Sequence, residues 1–416
     1  MMRQRGRWLK LIPAAVAALM VAAAMVPRRI GAAGKPGAPA AFAINDFGMR
    51  LLRTLRNGHE TQNTIISPVS VAMALAMTYN GAAGNTYLAM GEVLRIQTFG
   101  DSLNPLNHEL LEMIRKADPS VQLAIANALW TQKGFKIEPN FIKTARAYYD
   151  ARVRSLNFEG DPGGAAAVIN LWVDEATKGR IPTIIENPSP ETRLVLTDAV
   201  YFKGKWTWPF PKAATEPRDF HMADGNTIKT PMMRLEHNFD YLANDDFQAV
   251  RLPYGNRRFA MYVILPRKQD GLADLIGKLD ELTWHHWEAK FANRKGTVVL
   301  PKFTLTYQAK LNDALKQMGM AVAFSKDADF SRLHMPPPPP PPLMISDVEH
   351  RTYIKVDETG TEAAAATSVT VAMMAAVVRE PPPFEMVVDH PFFFAITERE
   401  SGAMLFAGAV TNPAAK

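Results

Sequence analysis

Residues able to do chemistry are thinly spread in this sequence. His285, His286 and Glu288 form its only dense group of potential ligands. His285 and Glu288 stand three apart and can share a helix face, whereas His286 points elsewhere. With tryptophans interleaved, the pattern fits a packed or surface segment better than a metal site, and no metal or cofactor is expected. Serine, histidine and aspartate all occur. No Gly-x-Ser-x-Gly elbow, Ser-x-x-Lys pair, His-Glu-x-x-His helix or phosphate-binding Gly-Lys-Ser/Thr loop surrounds them. Cysteine is absent, which excludes disulfides, thiolate metal ligands and a cysteine nucleophile. A hydrolase therefore has almost nothing to stand on.

The stretch that stands out does so by pattern. From Glu358 it reads Glu-Thr-Gly-Thr-Glu, then four alanines, then Thr367-Ser368-Val369-Thr370-Val371-Ala372. Alanine alone would favour a helix, but the following β-branched residues favour a strand. As a strand, one face carries Thr361, Ala363, Ala365, Thr367, Val369 and Val371, and the other carries Glu362, Ala364, Ala366, Ser368, Thr370 and Ala372. Such small side chains are tolerable both wedged between two strands and exposed in a loop.

Residues 358–367 closely resemble the hinge of the reactive-centre loop of inhibitory serpins. The resemblance covers nearly the whole chain from Phe42 onward. It includes Asn63-Thr64-Ile65-Ile66-Ser67-Pro68-Val69-Ser70, Asn127-Ala128-Leu129-Trp130, Asp198-Ala199-Val200-Tyr201-Phe202, Val299-Leu300-Pro301-Lys302-Phe303 and Asp389-His390-Pro391-Phe392. It implies an α+β fold of about nine helices around three β-sheets, a dominant central sheet and an exposed reactive-centre loop at about 358–388. The function implied is a suicide-substrate inhibitor of serine proteases, not an enzyme, acting as a monomer. A target protease cuts the loop, and the hinge at Glu358, Gly360, Thr361 and Ala363, Ala364, Ala365 and Ala366 then enters the central sheet. About 15 residues at roughly 3.3 Å each drag the acylated protease about 50 Å. A non-inhibitory serpin acting as carrier or chaperone is the alternative.

Two bonds compete as the cut site. Counting forward from Gly360 by family spacing gives Met374-Ala375, which suits chymotrypsin-, elastase- or subtilisin-like enzymes. Counting back from Pro391 gives Arg379-Glu380, which suits trypsin-like ones, although Pro381 should slow that cut. The forward count is preferred, because the inserted length sets how tightly the protease is pressed. The resemblance also marks Ser67, Ser70, Asp198 and His350 as a polar cluster where the sheet parts, with Trp206 under the sheet top. Position 198 is usually Asn in the family and is Asp here. A charge-assisted Asp198–His350 contact would favour the protonated ring and make sheet opening pH-sensitive. A heparin-type activator site is unsupported, since the segment 105–117 sets Arg115 and Lys116 beside Glu109 and Glu112.

The elements that must position these residues can be read by periodicity. Helical patterns fall at Phe42–Arg56, Val69–Tyr79, Thr86–Leu94, Pro105–Ala117, Pro139–Tyr149 and Gly164–Lys178, the second apolar on all sides and so central. Strand patterns fall at Leu123–Thr131, Arg193–Phe202, Ala249–Leu252, Phe259–Leu265, Thr297–Thr306 and Phe392–Thr397. No regular βαβ rhythm appears, which argues for α+β. The chain of 416 residues carries a formal charge of +6. Arg3, Arg5, Arg7, Lys10, Arg28, Arg29 and Lys35 supply seven of the 47 basic residues, and no acid precedes Asp46. The rest balances 40 basic residues against 41 acidic ones, so no nucleic-acid footprint remains.

That basic start followed by an apolar run from Leu11 to Val26 fits a signal peptide over 1–33, cleaved after Ala24 or Ala33. It implies a secreted or periplasmic protein with no membrane anchor after removal. A linker over 34–41 and a single domain over 42–416 follow. Pro336–Pro342 is a seven-proline insertion, read as an exposed polyproline rod of roughly 20 Å.

Overall fold

Pro68–Tyr79 is the axis of the architecture. All twelve of its residues are buried, as an all-round apolar helix requires. The Ser67 side chain caps it by accepting from the Ser70 N–H, and Pro68 occupies the first turn, where its missing N–H costs nothing. The computed structural model describes residues 37–336, 342–361 and 382–415. The expected signal peptide, most of the proline run and the loop positions Ala363–Ala366, Met374, Ala375, Arg379 and Glu380 lie outside them.

The described residues form nine α-helices and two sheets. The central sheet has six strands in the order Phe303–Lys310, Ile345–Asp357, Gly360–Thr361, Leu194–Lys205, Gln122–Gln132 and Arg152–Leu156. One face packs on the main core through Leu194, Leu196, Val200 and Phe202. The other lies under the helix Pro162–Ala176, where Val195, Ala199 and Trp130 meet Ile169 and Val173. A second sheet of nine strands wraps the far side of the core. Two of the three expected sheets are continuous in it. The 17-residue strand Thr227–Ala243 pairs with Ala292–Pro301 for most of its length and with Phe247–Tyr254 near its end.

Two expectations need correcting. The first helix runs Ala38–Arg56, so it begins four residues inside the stretch read as linker. Ala38, Ala40 and Ala41 are buried there, and alanine's helix propensity lets burial extend the helix backwards. The single strand expected over Thr297–Thr306 is two strands in different sheets, Ala292–Pro301 and Phe303–Lys310. The chain turns the corner at Lys302, whose N–H leaves both ladders to bond the Pro231 carbonyl at 2.9 Å.

Candidate functional site: the hinge, the slot and the polar cluster beneath it

Leu194–Lys205 and Ile345–Asp357 run parallel and pair directly from Leu194/Ile345 up to Tyr201/Tyr353. Above that point they are parted. Gly360 and Thr361 lie between them, pairing antiparallel with Lys205 and Gly204 on one side and with Asp357 and Val356 on the other. The first two residues of the predicted hinge therefore already occupy the head of a slot. Glycine is required at 360, because φ is +146° and an added Cβ would fall 2.1 Å from the Gly204 carbonyl oxygen. Thr361 is fully buried and its hydroxyl shares a hydrogen bond with the Tyr254 hydroxyl at 2.9 Å. The buried phenol's pKa is pushed well up by desolvation, so it stays neutral and able to donate.

A clamp holds the turn before the slot. Trp206 stacks on Tyr254 with ring centroids 4.3 Å apart, its indole N–H donates to the Asp357 carbonyl at 2.9 Å, and its backbone N–H donates to the Thr359 carbonyl at 3.0 Å. The Phe210 N–H donates to the Glu358 carbonyl at 2.8 Å. The Glu358 carboxylate sits 2.9 Å from Lys302 Nζ and accepts from the Thr215 hydroxyl. Burial alone would raise the Glu358 pKa, but the Lys302 hydrogen bond and the other donors outweigh it and hold it low. Sequence reading picked out Trp206. It assigned no role to Lys302, Tyr254, Thr215 or Phe210, and the only available signal was the motif Val299–Phe303.

Lower in the slot, the predicted cluster is assembled. His350 Nδ1 lies 2.9 Å from Asp198 Oδ1, both residues being buried. The Ser67 backbone N–H donates to His350 Nε2 at 3.3 Å. With Nε2 accepting, the proton sits on Nδ1 and is given to Asp198, so the ring is held in one tautomer. The Ser70 hydroxyl donates to Asn127 Oδ1 at 3.2 Å, and Asn127 Nδ2 returns a bond to the Ser70 carbonyl at 3.1 Å. Asn127 falls in one of the resemblance motifs, but sequence reading did not assign it to the cluster. Asp198 Oδ2 is buried and has no hydrogen-bond partner among the described residues. Such an orphaned acceptor is expensive and calls for a reason.

On the far side of the loop, the Arg294 guanidinium donates to the Pro382 carbonyl at 3.1 Å and Phe384 stacks on Tyr241 at 3.8 Å. The loop's exit is thus fixed in the second sheet, where Phe384–Val387 pairs with Ala292–Pro301.

His285 Nε2 lies 3.1 Å from Glu281 and Nδ1 lies 3.5 Å from Glu288, and these two carboxylates raise its pKa. No group of three or more His, Asp or Glu side chains arranged to hold a metal ion occurs among the described residues, and no described helix is long and apolar enough to cross a membrane.

Comparison with known proteins agrees with this geometry. The family model "Serpin (serine protease inhibitor)" matches residues 42–413. An uncharacterized serpin-like protein of Thermococcus kodakarensis is 38% identical over 376 residues, covering 90% of this chain and 86% of that protein. Human thyroxine-binding globulin superposes with a TM-score of 0.81 at 26% identity, over 91% of this chain and 99% of that one. Mouse protein-Z dependent protease inhibitor gives 0.80 at 30% identity, over 91% and 98%.

Proposed function

We propose that this chain, which belongs to the serpin family, is an inhibitor that traps a serine protease by inserting its cut loop into the central sheet. The observation that carries this reading is the seating of Gly360 and Thr361 between the parallel strands. Both backbone registers are set, so the rest of the path follows from them. Continuing them down Leu194–Lys205, a strand of twelve residues, would lay Val371 opposite Leu194. Side chains of the same parity as Thr361 would meet the main core, and the alanines at 364 and 366 would meet the crowded face under Pro162–Ala176. Small residues suit that face.

The same two registers converge at one rung. Residue 367 would fall opposite Asp198 on one strand and opposite His350 on the other. Thr367 would therefore part the Asp198–His350 contact and offer its hydroxyl to the orphaned Asp198 Oδ2. This gives the unpaired oxygen a reason: it is satisfied in the inserted state.

Entry exchanges one parallel ladder for two antiparallel ones, a net gain on the order of ten backbone hydrogen bonds. At about 0.5–1.5 kcal/mol each, that is of order 10 kcal/mol in favour of insertion. The uncut form is then metastable, held by the clamp and by the closed lower slot. If Val371 reaches the foot of the slot, a cut after Met374 leaves three residues as tether and a cut after Arg379 leaves eight. The shorter tether favours Met374-Ala375, because slack would let the protease relax and complete hydrolysis.

The non-inhibitory reading is represented by the likeness to thyroxine-binding globulin, described in complex with thyroxine. The pre-seated hinge favours inhibition. Incubation with chymotrypsin-, elastase-, subtilisin- and trypsin-like enzymes tests it: a covalent complex stable to denaturant is expected, and cleavage without complex would sink the reading. Export, proposed from the amino-terminal pattern, is checked by mass spectrometry of secreted protein, with a new terminus at Met25 or Gly34 expected.

A further inference from the structure

A cavity of about 210 Å3 opens beside Trp208, in the segment between Trp206 and Phe210 that clamps the hinge. Arg251, Arg257 and Arg399 line it. Arg251 is committed, donating to Asp240 at 2.9 Å and to the Tyr262 hydroxyl at 3.3 Å. The neighbouring acids Glu398 and Glu400 are held by Arg258 at 2.9 and 2.7 Å. That leaves Arg257 and Arg399 with no carboxylate partner among the described residues. They are held together: Arg399 Nη1 donates to the Arg257 carbonyl at 3.2 Å, and the Arg257 guanidinium lies over the Trp208 ring, 4.8 Å from its centroid. Arg257 also holds φ of +74° at its hairpin tip, a left-handed conformation that strains a non-glycine residue. Asn238, Asn293, Pro253 and Asp240 complete the walls, and the Asp240 carboxylate is neutralised there by Arg251.

We propose that this cavity binds a phosphate or sulfate group, free or as the head of an ester. Two guanidinium forks without carboxylates match the several acceptor oxygens of such a group, and guanidinium sheds water more readily than ammonium. The asparagine amides supply neutral donors. The exposed part of the Trp208 ring offers a planar substituent a face to cover. Because Trp206 and Phe210 hold Thr359 and Glu358 through backbone N–H groups, a ligand that steadies Trp208 steadies the hinge clamp as well. Occupancy then slows loop entry. This last step rests on the inhibitory reading; the binding does not.

Calorimetric titration of the intact protein with inorganic phosphate and with phenyl phosphate, at constant ionic strength in chloride, tests the site. One saturable site is expected. Arg257→Gln and Arg399→Gln should each weaken it about tenfold or more, as for loss of a hydrogen bond to a charged group. Phenyl phosphate should bind more tightly than phosphate, and Trp208→Leu should erase that difference. Equal binding by the two phosphates to the wild type would show that the indole takes no part and would overturn the ester form. Affinity unchanged in both arginine variants, or absent in the wild type, would overturn the site. A second readout needs no substitution in the cavity. His237 lies tilted against Trp208, ring centroids 4.2 Å apart, and its pKa is lowered by burial and by Arg257, so a bound anion should raise it, and an unmoved His237 titration at saturating phosphate would contradict occupancy. An insertion rate unaffected by saturating phosphate would overturn the link to the hinge while leaving the site standing.

Discussion

At the scale of single residues, four positions decide how the slot behaves. Thr361 is buried against Tyr254. Thr361→Arg puts an unpaired charge there, which costs more than about 3 kcal/mol and should slow entry at least about 100-fold. Gel analysis with a reactive protease should show cleavage persisting while the covalent complex disappears. Asp198 and His350 face each other across the path. Asp198→Asn removes the carboxylate from the contact that residue 367 must part, so a changed insertion rate of the cut loop is expected, and a rate equal to the wild type would refute that role. Glu349 lies on the strand that bounds the slot, nine per cent exposed. Burial first, then the charge of Asp347, push its pKa up to about 7, with Lys310 opposing. The folded protein thus holds a proton between pH about 4.5 and 7 that the unfolded chain has released, so stability falls as pH rises through that window. Glu349→Gln should match the wild type at about pH 4 and be more stable by about 1–3 kcal/mol at about pH 8, measured by thermal unfolding at both pH values. Equal melting at the higher pH would contradict it.

At the scale of elements, legibility followed the strength of the local pattern. The central helix was plain because an unbroken apolar run bounded by Ser67 and Pro68 has few other readings. Pro139–Tyr149 matched end to end, proline and tyrosine marking its limits. The corner at Lys302 was invisible, because Ala292–Pro301 and Phe303–Lys310 are both strands and nothing in a two-residue period announces a change of sheet. The first helix was started late because its opening alanines read equally as linker until their burial is known. For the site, the hinge and the cluster could be named from the resemblance. The clamp could not. Its contacts join residues as distant as Thr215, Lys302 and Glu358, and no spacing encodes them. Lys302→Ala should loosen the clamp and leave Glu358 buried without its cation. The expected result is faster spontaneous loss of inhibitory activity on warming, and an unchanged half-life would show that the ion pair does not restrain the hinge.

At the scale of the whole molecule, the account is one of stored free energy. The parallel strands are paired below and parted above, with two residues of a third strand already between them. A cut loop can complete what those two residues have begun, and the cut protein should then resist heat far better than the intact one. The most direct measurement combines trapping with identification of the bond. The protein is incubated with a chymotrypsin-, elastase- or subtilisin-like protease, and the products are separated under denaturing conditions and weighed. The account predicts a covalent band of inhibitor plus protease and a released carboxyl-terminal fragment beginning at Ala375. Complete cleavage with no covalent band for any serine protease tested, or a cut protein that melts no higher than the intact one, would contradict it.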